Sequence, residues 1–361
     1  MGGRAVSRVA RFVLTGSALL AGMAVLLTGC AGPSRPPVVG TPPPGPPPAC
    51  THTVSQPDDV SRVLDAASPG DVVCLTGTDL AGADVTMRRS GTDQAPIRLV
   101  GDGRVTVRSV RIAADHVSLE GVTVADGDGV LLQGSGITAR YNTIHDTGQG
   151  GITCRPCTDS TIESNTINHA AVVGIWIAGQ RITVHGNTIS DTVPRNRSDA
   201  DGIRFFGNGH RITGNTIRDI SARGYSSPPH PDCFQTFDEN SPPTFDVVIA
   251  DNTCRNVDAQ CLIATGDQHG NSDAPSDVPS IIFEHNICAN NGAQAVNLRR
   301  WPNVQIRDNT FSGPSLTRAV LIIDGSTGTT VIGNTTTSGR PTVDIDGSSR
   351  PGSRVEANTP A

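Results

Sequence analysis

The chain of 361 residues contains no lysine, so all 28 of its Lys and Arg side chains are arginine. A Schiff-base lysine or a lysine general base is therefore excluded. Aromatics are scarce, with eight Phe, two Tyr and two Trp, so any large core must be filled by aliphatic side chains. Long apolar runs are confined to residues 12–27. Basic charge is in short supply too. The formal net charge is −6, and loss of the leader with Arg4, Arg8 and Arg11 would make the remainder more acidic by three. That balance argues against a nucleic-acid partner, whose phosphates call for a basic surface.

What the chain has in excess is glycine, 40 residues, and proline, 26 residues, together with one recurring phrase. It reads Asn142-Thr143-Ile144, Asn165-Thr166-Ile167, Asn187-Thr188-Ile189, Asn215-Thr216-Ile217, Asn252-Thr253-Cys254, Asn286-Ile287-Cys288, Asn309-Thr310-Phe311, Asn334-Thr335-Thr336 and Asn358-Thr359-Pro360, at steps of 23, 22, 28, 37, 34, 23, 25 and 24 residues. Three residues before each Asn stands an apolar side chain, from Ala139 and Ile162 to Val331 and Val355. A second column follows two residues after it, from Ile144 to Phe311, and a third holds Ile152, Ile175, Ile203, Phe234, Leu262 and Val296.

Three apolar columns at fixed phase predict three short strands per repeat. One repeat cannot bury its inner face alone, so repeats must stack. The fold class is all-β: a single-stranded right-handed parallel β-helix with a coil of about 23 residues. The Asn is expected at a tight bend, in the left-handed backbone region, sharing amide hydrogen bonds with the Asn above and below.

Residues 1–29 read as a signal peptide, with three Arg, an apolar stretch and the closing phrase Leu27-Thr28-Gly29-Cys30. That phrase resembles the lipobox of bacterial lipoproteins. The resemblance implies cleavage before Cys30, lipid on its sulfur, and an exported protein held at the cell membrane. Residues 30–49 form a Pro-rich tether, and residues 50–361 the β-helix domain, expected to be a monomer. Asp58-Asp59 is predicted to cap a short helix with the face Val60, Val63, Leu64 and Ala67, closing the N-terminal end of the solenoid.

Eight further Cys in an exported chain favour disulfides. Cys50 and Cys74 could staple the cap. Cys254 and Cys288 share one register, as do Cys233 and Cys261, so either bridges or stacked free thiols are expected there. Cys154-Arg155-Pro156-Cys157 reads as a loop staple rather than a redox centre.

Three consecutive coils are long, with their surplus at residues 193–200, 222–231 with 240–244, and 267–279. Inserts on neighbouring coils build walls beside one sheet, the usual place for a site. Between them Asp201-Gly202-Ile203-Arg204 aligns with Asp232-Cys233-Phe234-Gln235, Gln260-Cys261-Leu262-Ile263 and Gln294-Ala295-Val296-Asn297. Asp201 is thereby set against Asp232, with Gln260 and Gln294 continuing the row. Arg204, Gln235 and Asn297 point outward beside Trp176, with Arg299 and Arg300 on the same edge. His230, two residues before Asp232, is the candidate base or acid. Two facing carboxylates need a shared proton, an Arg or a cation such as Ca²⁺ at Asp201 and Asp232.

At these residues a family resemblance enters, covering the chain from about residue 50. The coil pattern resembles the pectate-lyase-like right-handed β-helices, which implies enzymes that cut polysaccharides by β-elimination or hydrolysis. Asp199-Ala200-Asp201-Gly202 is similar to the Asn-Thr-Asp-Gly phrase of polygalacturonases, and Pro231-Asp232-Cys233 to their Asp-Asp-Cys. Pro231 replaces one acid of that pattern, and no Gly-His-Gly follows on the next coil.

The expected function is cleavage of an acidic, uronate-type polysaccharide by elimination. Here Arg204, Arg299 or Ca²⁺ would neutralise the sugar acid, while His230 takes the proton. In the hydrolytic alternative Asp232 is the acid and Asp201 activates water. The non-catalytic alternative is a glycan-binding or envelope scaffold protein using Trp176, Tyr225 and Trp301 as stacking surfaces.

Overall fold

A computed structural model describes residues 49–360, apart from 239–241, 269, 272 and 338. The signal peptide, the lipidation site Cys30 and nearly all of the Pro-rich tether lie outside the described residues.

The chain winds as a right-handed parallel β-helix, and every strand pairing in it is parallel. The first sheet stacks 13 strands from His52–Val54 to Arg354–Glu356. Its inward column is the one three residues before each Asn. All of these side chains are fully buried except Val355, which is 45 % exposed on the last described rung. The second and third sheets follow the Asn and the loop after it. They join into one 20-stranded ladder, because Thr123–Ser135 runs through the corner and pairs with both Thr143–Thr147 and Ile152–Thr158.

The predicted Asn ladder is present, with one correction. From Asn142 to Asn334 each amide Nδ2 donates to Oδ1 of the next Asn at 2.9–3.0 Å. The left-handed residue, however, is the one before each Asn: Tyr141, Ser164, Gly186, Gly214, Asp251, His285, Asp308, Gly333 and Ala357 all have φ between 52° and 72°. The bend occurs one residue earlier than expected, which leaves the Asn side chain buried under it, where only another amide can satisfy it.

The N-terminal helix is Pro57–Ala66. Gln56, not Asp58, holds the N-cap position, Pro57 occupies the first turn, and Asp58 and Asp59 stand within that turn, favourable to the helix dipole. Val60, Leu64 and Ala67 are buried and join the solenoid core.

All eight described Cys are paired. Cys50–Cys74 ties the cap and Cys154–Cys157 closes its own loop. The other two bridges are Cys233–Cys254 and Cys261–Cys288, not the register partners Cys254 and Cys288 or Cys233 and Cys261. Register partners on parallel strands aim their Cβ atoms side by side. The bonded pairs instead face one another across the interior, from the third sheet of one coil to the second sheet of the next.

Earlier coils fill the same position with glycine and isoleucine. A Cβ on Gly202 would fall 2.6 Å from Ile217 Cγ2, and Gly174 and Gly151 meet Ile189 and Ile167 at 2.4 and 2.5 Å. Bridge and Gly–Ile pair are thus two fillings of one space. Cys233→Ser should cost about 2–4 kcal/mol of stability. Cys233→Gly combined with Cys254→Ile should recover about 1 kcal/mol or more by packing, as read by denaturant unfolding. Equal instability of the two variants would refute the equivalence.

Candidate functional site

The outer face of the third sheet carries the site. Its strands Val173–Gln180, Asp201–Asn208, Phe234–Phe237, Leu262–Thr265 and Val296–Arg299 lie side by side. Their register places Trp176 against Arg204, Arg204 against Gln235, Gln235 against Ile263 and Ile263 against Asn297. Alternation turns Ile175, Ile203, Phe234, Leu262 and Val296 inward, all of them fully buried.

At the head of these strands the expected acidic row is present. Asp201 Oδ1 accepts the Asp232 N–H at 3.0 Å, Asp232 Oδ1 accepts the Gln260 N–H at 2.8 Å, and Gln260 Nε2 donates to Gln294 Oε1 at 3.3 Å. Both carboxylates have no solvent exposure. Arg204 donates Nε to Asp201 Oδ2 at 3.0 Å and also donates its Nη2 there. His230 Nδ1 lies 3.1 Å from Asp232 Oδ2, while half of the His230 side chain, 52 %, remains exposed. Gln235 Nε2 approaches the same oxygen at 3.4 Å.

Burial dominates the electrostatics. It pushes the Asp201 carboxyl up to about 7 against the pull of Arg204, with Asp232 adding to the rise. Burial likewise raises Asp232 despite its bond to His230. The hydrogen bond to Asp232 raises His230 to about 9, outweighing its own desolvation. The cluster therefore holds protons tightly, and His230 is imidazolium at neutral pH.

The inserts knit together over this row. The His230 N–H donates to Asp199 Oδ1 at 3.1 Å, latching the second insert to the first. Asp258 accepts from Ser221 Oγ and the Ala222 N–H at 2.9 Å, pinning the root of the second insert. Asn271 accepts the Thr244 N–H at 2.9 Å and donates back to its carbonyl. Asp199 has no role in the sequence-based expectation, although its place two residues before Asp201 in the phrase Asp199-Ala200-Asp201-Gly202 is the signal for this latch.

Several predicted binding residues stand otherwise than expected. The Trp176 ring is half-buried, with the guanidinium of Arg155 4.4 Å and that of Arg204 5.3 Å from its centroid, so cations occupy the surface meant for a sugar. Trp301 is 1 % exposed and belongs to the core. Tyr225 is exposed on the second insert. Arg299 is on the strip but bonded to Asp267 at 2.8 Å and Asp324 at 2.9 Å, and Arg300 turns to the Asp267 carbonyl at 3.3 Å. Phe206 and Phe237, which sequence reasoning passed over, pack edge to face at 4.9 Å beside Trp176 and Arg204.

The donor set does not suit calcium, which takes six to eight oxygens. All four oxygens of Asp201 and Asp232 already accept hydrogen bonds, and no group of three or more His, Cys, Asp or Glu gathers among the described residues. What the strip does offer is unmet polarity. Seven buried side-chain atoms among the described residues lack a hydrogen-bond partner, and four of them lie here: Trp176 Nε1, Gln235 Oε1, Gln260 Oε1 and Asn297 Oδ1. Each of these atoms is enclosed, so the concentration marks buried polarity that the packing of the strip leaves unsatisfied.

Among solved structures, the chain is similar to an alginate lyase from Paenibacillus sp. str. FPU-7, at 16 % identity and a TM-score of 0.52 over 82 % of this chain and 99 % of that one. It is also similar to the tailspike protein of E. coli bacteriophage HK620, at 12 % identity and a TM-score of 0.58. That match covers 84 % of this chain and spans only 61 % of the tailspike, which was solved in complex with a pentasaccharide. Likenesses this distant establish the shared fold. Comparison with curated proteins gave no match. The model of the right-handed β-helix region matches residues 90–227 and 128–336, most of the chain, and the protein belongs to that family.

Proposed function

We propose that this protein is a surface-tethered enzyme that binds an acidic, uronate-type polysaccharide along the third sheet and cleaves it by β-elimination, with His230 as the base. The observation that carries the reading is the exposed imidazole of His230, oriented through Nδ1 by the fully buried Asp232. The strip that His230 overlies carries four buried polar atoms without partners. An imidazole fixed at one nitrogen presents the other, Nε2, to a substrate in a defined direction.

In the step proposed, Nε2 of the neutral ring, whose population grows as the pH rises toward the His230 value of about 9, removes the proton on the sugar carbon next to the carboxylate. The electron pair forms a carbon–carbon double bond, the glycosidic C–O bond breaks, and the departing oxygen takes a proton from water. Arg204 spends Nε and Nη2 on Asp201 and is 7 % exposed, and its Nη1, which makes no hydrogen bond among the described residues, is the atom assigned here to the sugar carboxylate. No step is routed through Ca²⁺. Asp201 and Asp232 have no exposed surface and act through His230 and Arg204, which weakens the hydrolytic alternative in which a carboxylic acid touches the glycosidic oxygen.

The leader and Cys30 support the tethering half of the proposal, namely export and lipid attachment at the cell membrane. That one structural neighbour is an alginate lyase and the other was solved with a pentasaccharide bound supports a polysaccharide substrate.

Incubating the chain with uronate, sulfated and neutral polysaccharides, with and without a calcium chelator, tests the activity. Ultraviolet absorbance of an unsaturated product is expected from a uronate polymer. New reducing ends without that absorbance would replace elimination by hydrolysis, and no new ends from any polymer would leave a binding protein.

A further inference from the structure

The strip continues past Trp176 toward the N-terminal end of the solenoid, into coils that the proposed chemistry does not use. Register carries it from Trp176 to Thr153, Leu131 and Arg111. Two arginines stand on this stretch, Arg111 and Arg155, both exposed. They are linked through one side chain: Arg111 Nη2 donates to Gln133 Oε1 at 2.6 Å, and Gln133 Nε2 donates to the Arg155 carbonyl at 3.2 Å. The Cys154–Cys157 bridge closes the loop that carries Arg155, whose guanidinium rests on Trp176.

Of the other arginines of this face, Arg204 is paired with Asp201 and Arg299 with Asp267 and Asp324, while Arg300 turns to the Asp267 carbonyl. Arg111 and Arg155 make no ion pair among the described residues. On an acidic protein, these two cations, one held by a glutamine and the other by a ring, stand in line with the strip, Arg155 about three and Arg111 about five coil spacings, roughly 14 and 24 Å, from His230.

We propose that Arg111, oriented by Gln133, and Arg155, two coils further along, contact anionic groups of the polysaccharide, carboxylates or sulfate esters, and so fix the polymer along the solenoid axis. The proposal rests on the polysaccharide reading of the site but not on its chemistry.

The test uses the full chain and the double variant Arg111→Gln with Arg155→Gln. Affinity for alginate, dextran sulfate and neutral dextran is measured by calorimetry. A loss of about tenfold or more for alginate or dextran sulfate, with dextran unaffected, is expected, and the polymer affected identifies the anion. A control with Arg62→Gln and Arg354→Gln removes equal charge elsewhere. The same loss in that control, an unchanged affinity in the double variant, or a native chain that binds neither anionic polymer would each overturn the subsite. Binding lost as expected in a chain without turnover would refute the catalytic reading and uphold the subsite. Turnover with unchanged binding and KM in the double variant would do the reverse.

Discussion

Asp232→Asn is expected to lower turnover of a uronate polymer by about 10³-fold while leaving its affinity within about twofold. The replacement is nearly isosteric, and an amide oxygen at Oδ1 still accepts the Gln260 N–H that Asp232 holds at 2.8 Å. The change falls on the other atom. An amide nitrogen there donates to His230 Nδ1 in place of the Nδ1–H···Oδ2 bond of 3.1 Å, and the ring must then carry its proton on Nε2, where the base is needed. The pH profile separates this from a general loss of structure. With His230 raised to about 9, a base mechanism in the native chain gains about tenfold in kcat/KM per pH unit until that value and levels above it. In the variant the residual activity should level near the ordinary histidine range of about 6.5. Activity that falls above pH 9 would instead make His230 an acid. Full activity in the variant would remove Asp232 from the mechanism.

The row that this variant disrupts was legible before any coordinates because a solenoid turns phase into distance. Once Ile203, Phe234, Leu262 and Val296 are known to stack, Asp201 must lie beside Asp232, and the hydrogen bond of 3.0 Å between them follows. The same rule gave the outward line from Trp176 to Asn297.

Phase says nothing about contacts between sheets or about where a long side chain bends. The disulfides were therefore expected along a column and are found across the interior. Arg299 was placed on the correct face, but its engagement by Asp267 and Asp324 depends on loops outside the repeat. Trp176 was assigned to a sugar, yet Arg155 from the coil before and Arg204 from the coil after both reach its ring. Trp301 lies just beyond a strand, where the alternation rule ends, and turns into the core.

The fold beneath the site depends on the Asn column, and its middle should be far less tolerant than its end. Asn252 accepts the Asn215 N–H at 2.8 Å and Asn215 Nδ2 at 3.0 Å, and donates to the Ile212 carbonyl at 2.9 Å and Asn286 Oδ1 at 3.0 Å. With alanine there, Asn215 Nδ2 keeps the Val184 carbonyl and Asn286 Oδ1 keeps the Asn252 N–H. The Asn215 N–H, buried among apolar columns, is left with nothing. One orphaned donor plus the lost bonds amounts to about 3–4 kcal/mol. Asn358 makes three similar bonds, to the Asn334 N–H, Asn334 Nδ2 and the Val331 carbonyl, but on the open rung, where water replaces the missing amide, so Asn358→Ala should cost about 1 kcal/mol. Asn252→Asp keeps the acceptor and loses both donors, setting a carboxylate against two oxygens, and should be at least as damaging as alanine. Denaturant unfolding of the three variants decides the matter. Equal costs at positions 252 and 358 would mean that the amide column is ornament on a core held by its aliphatic side chains alone.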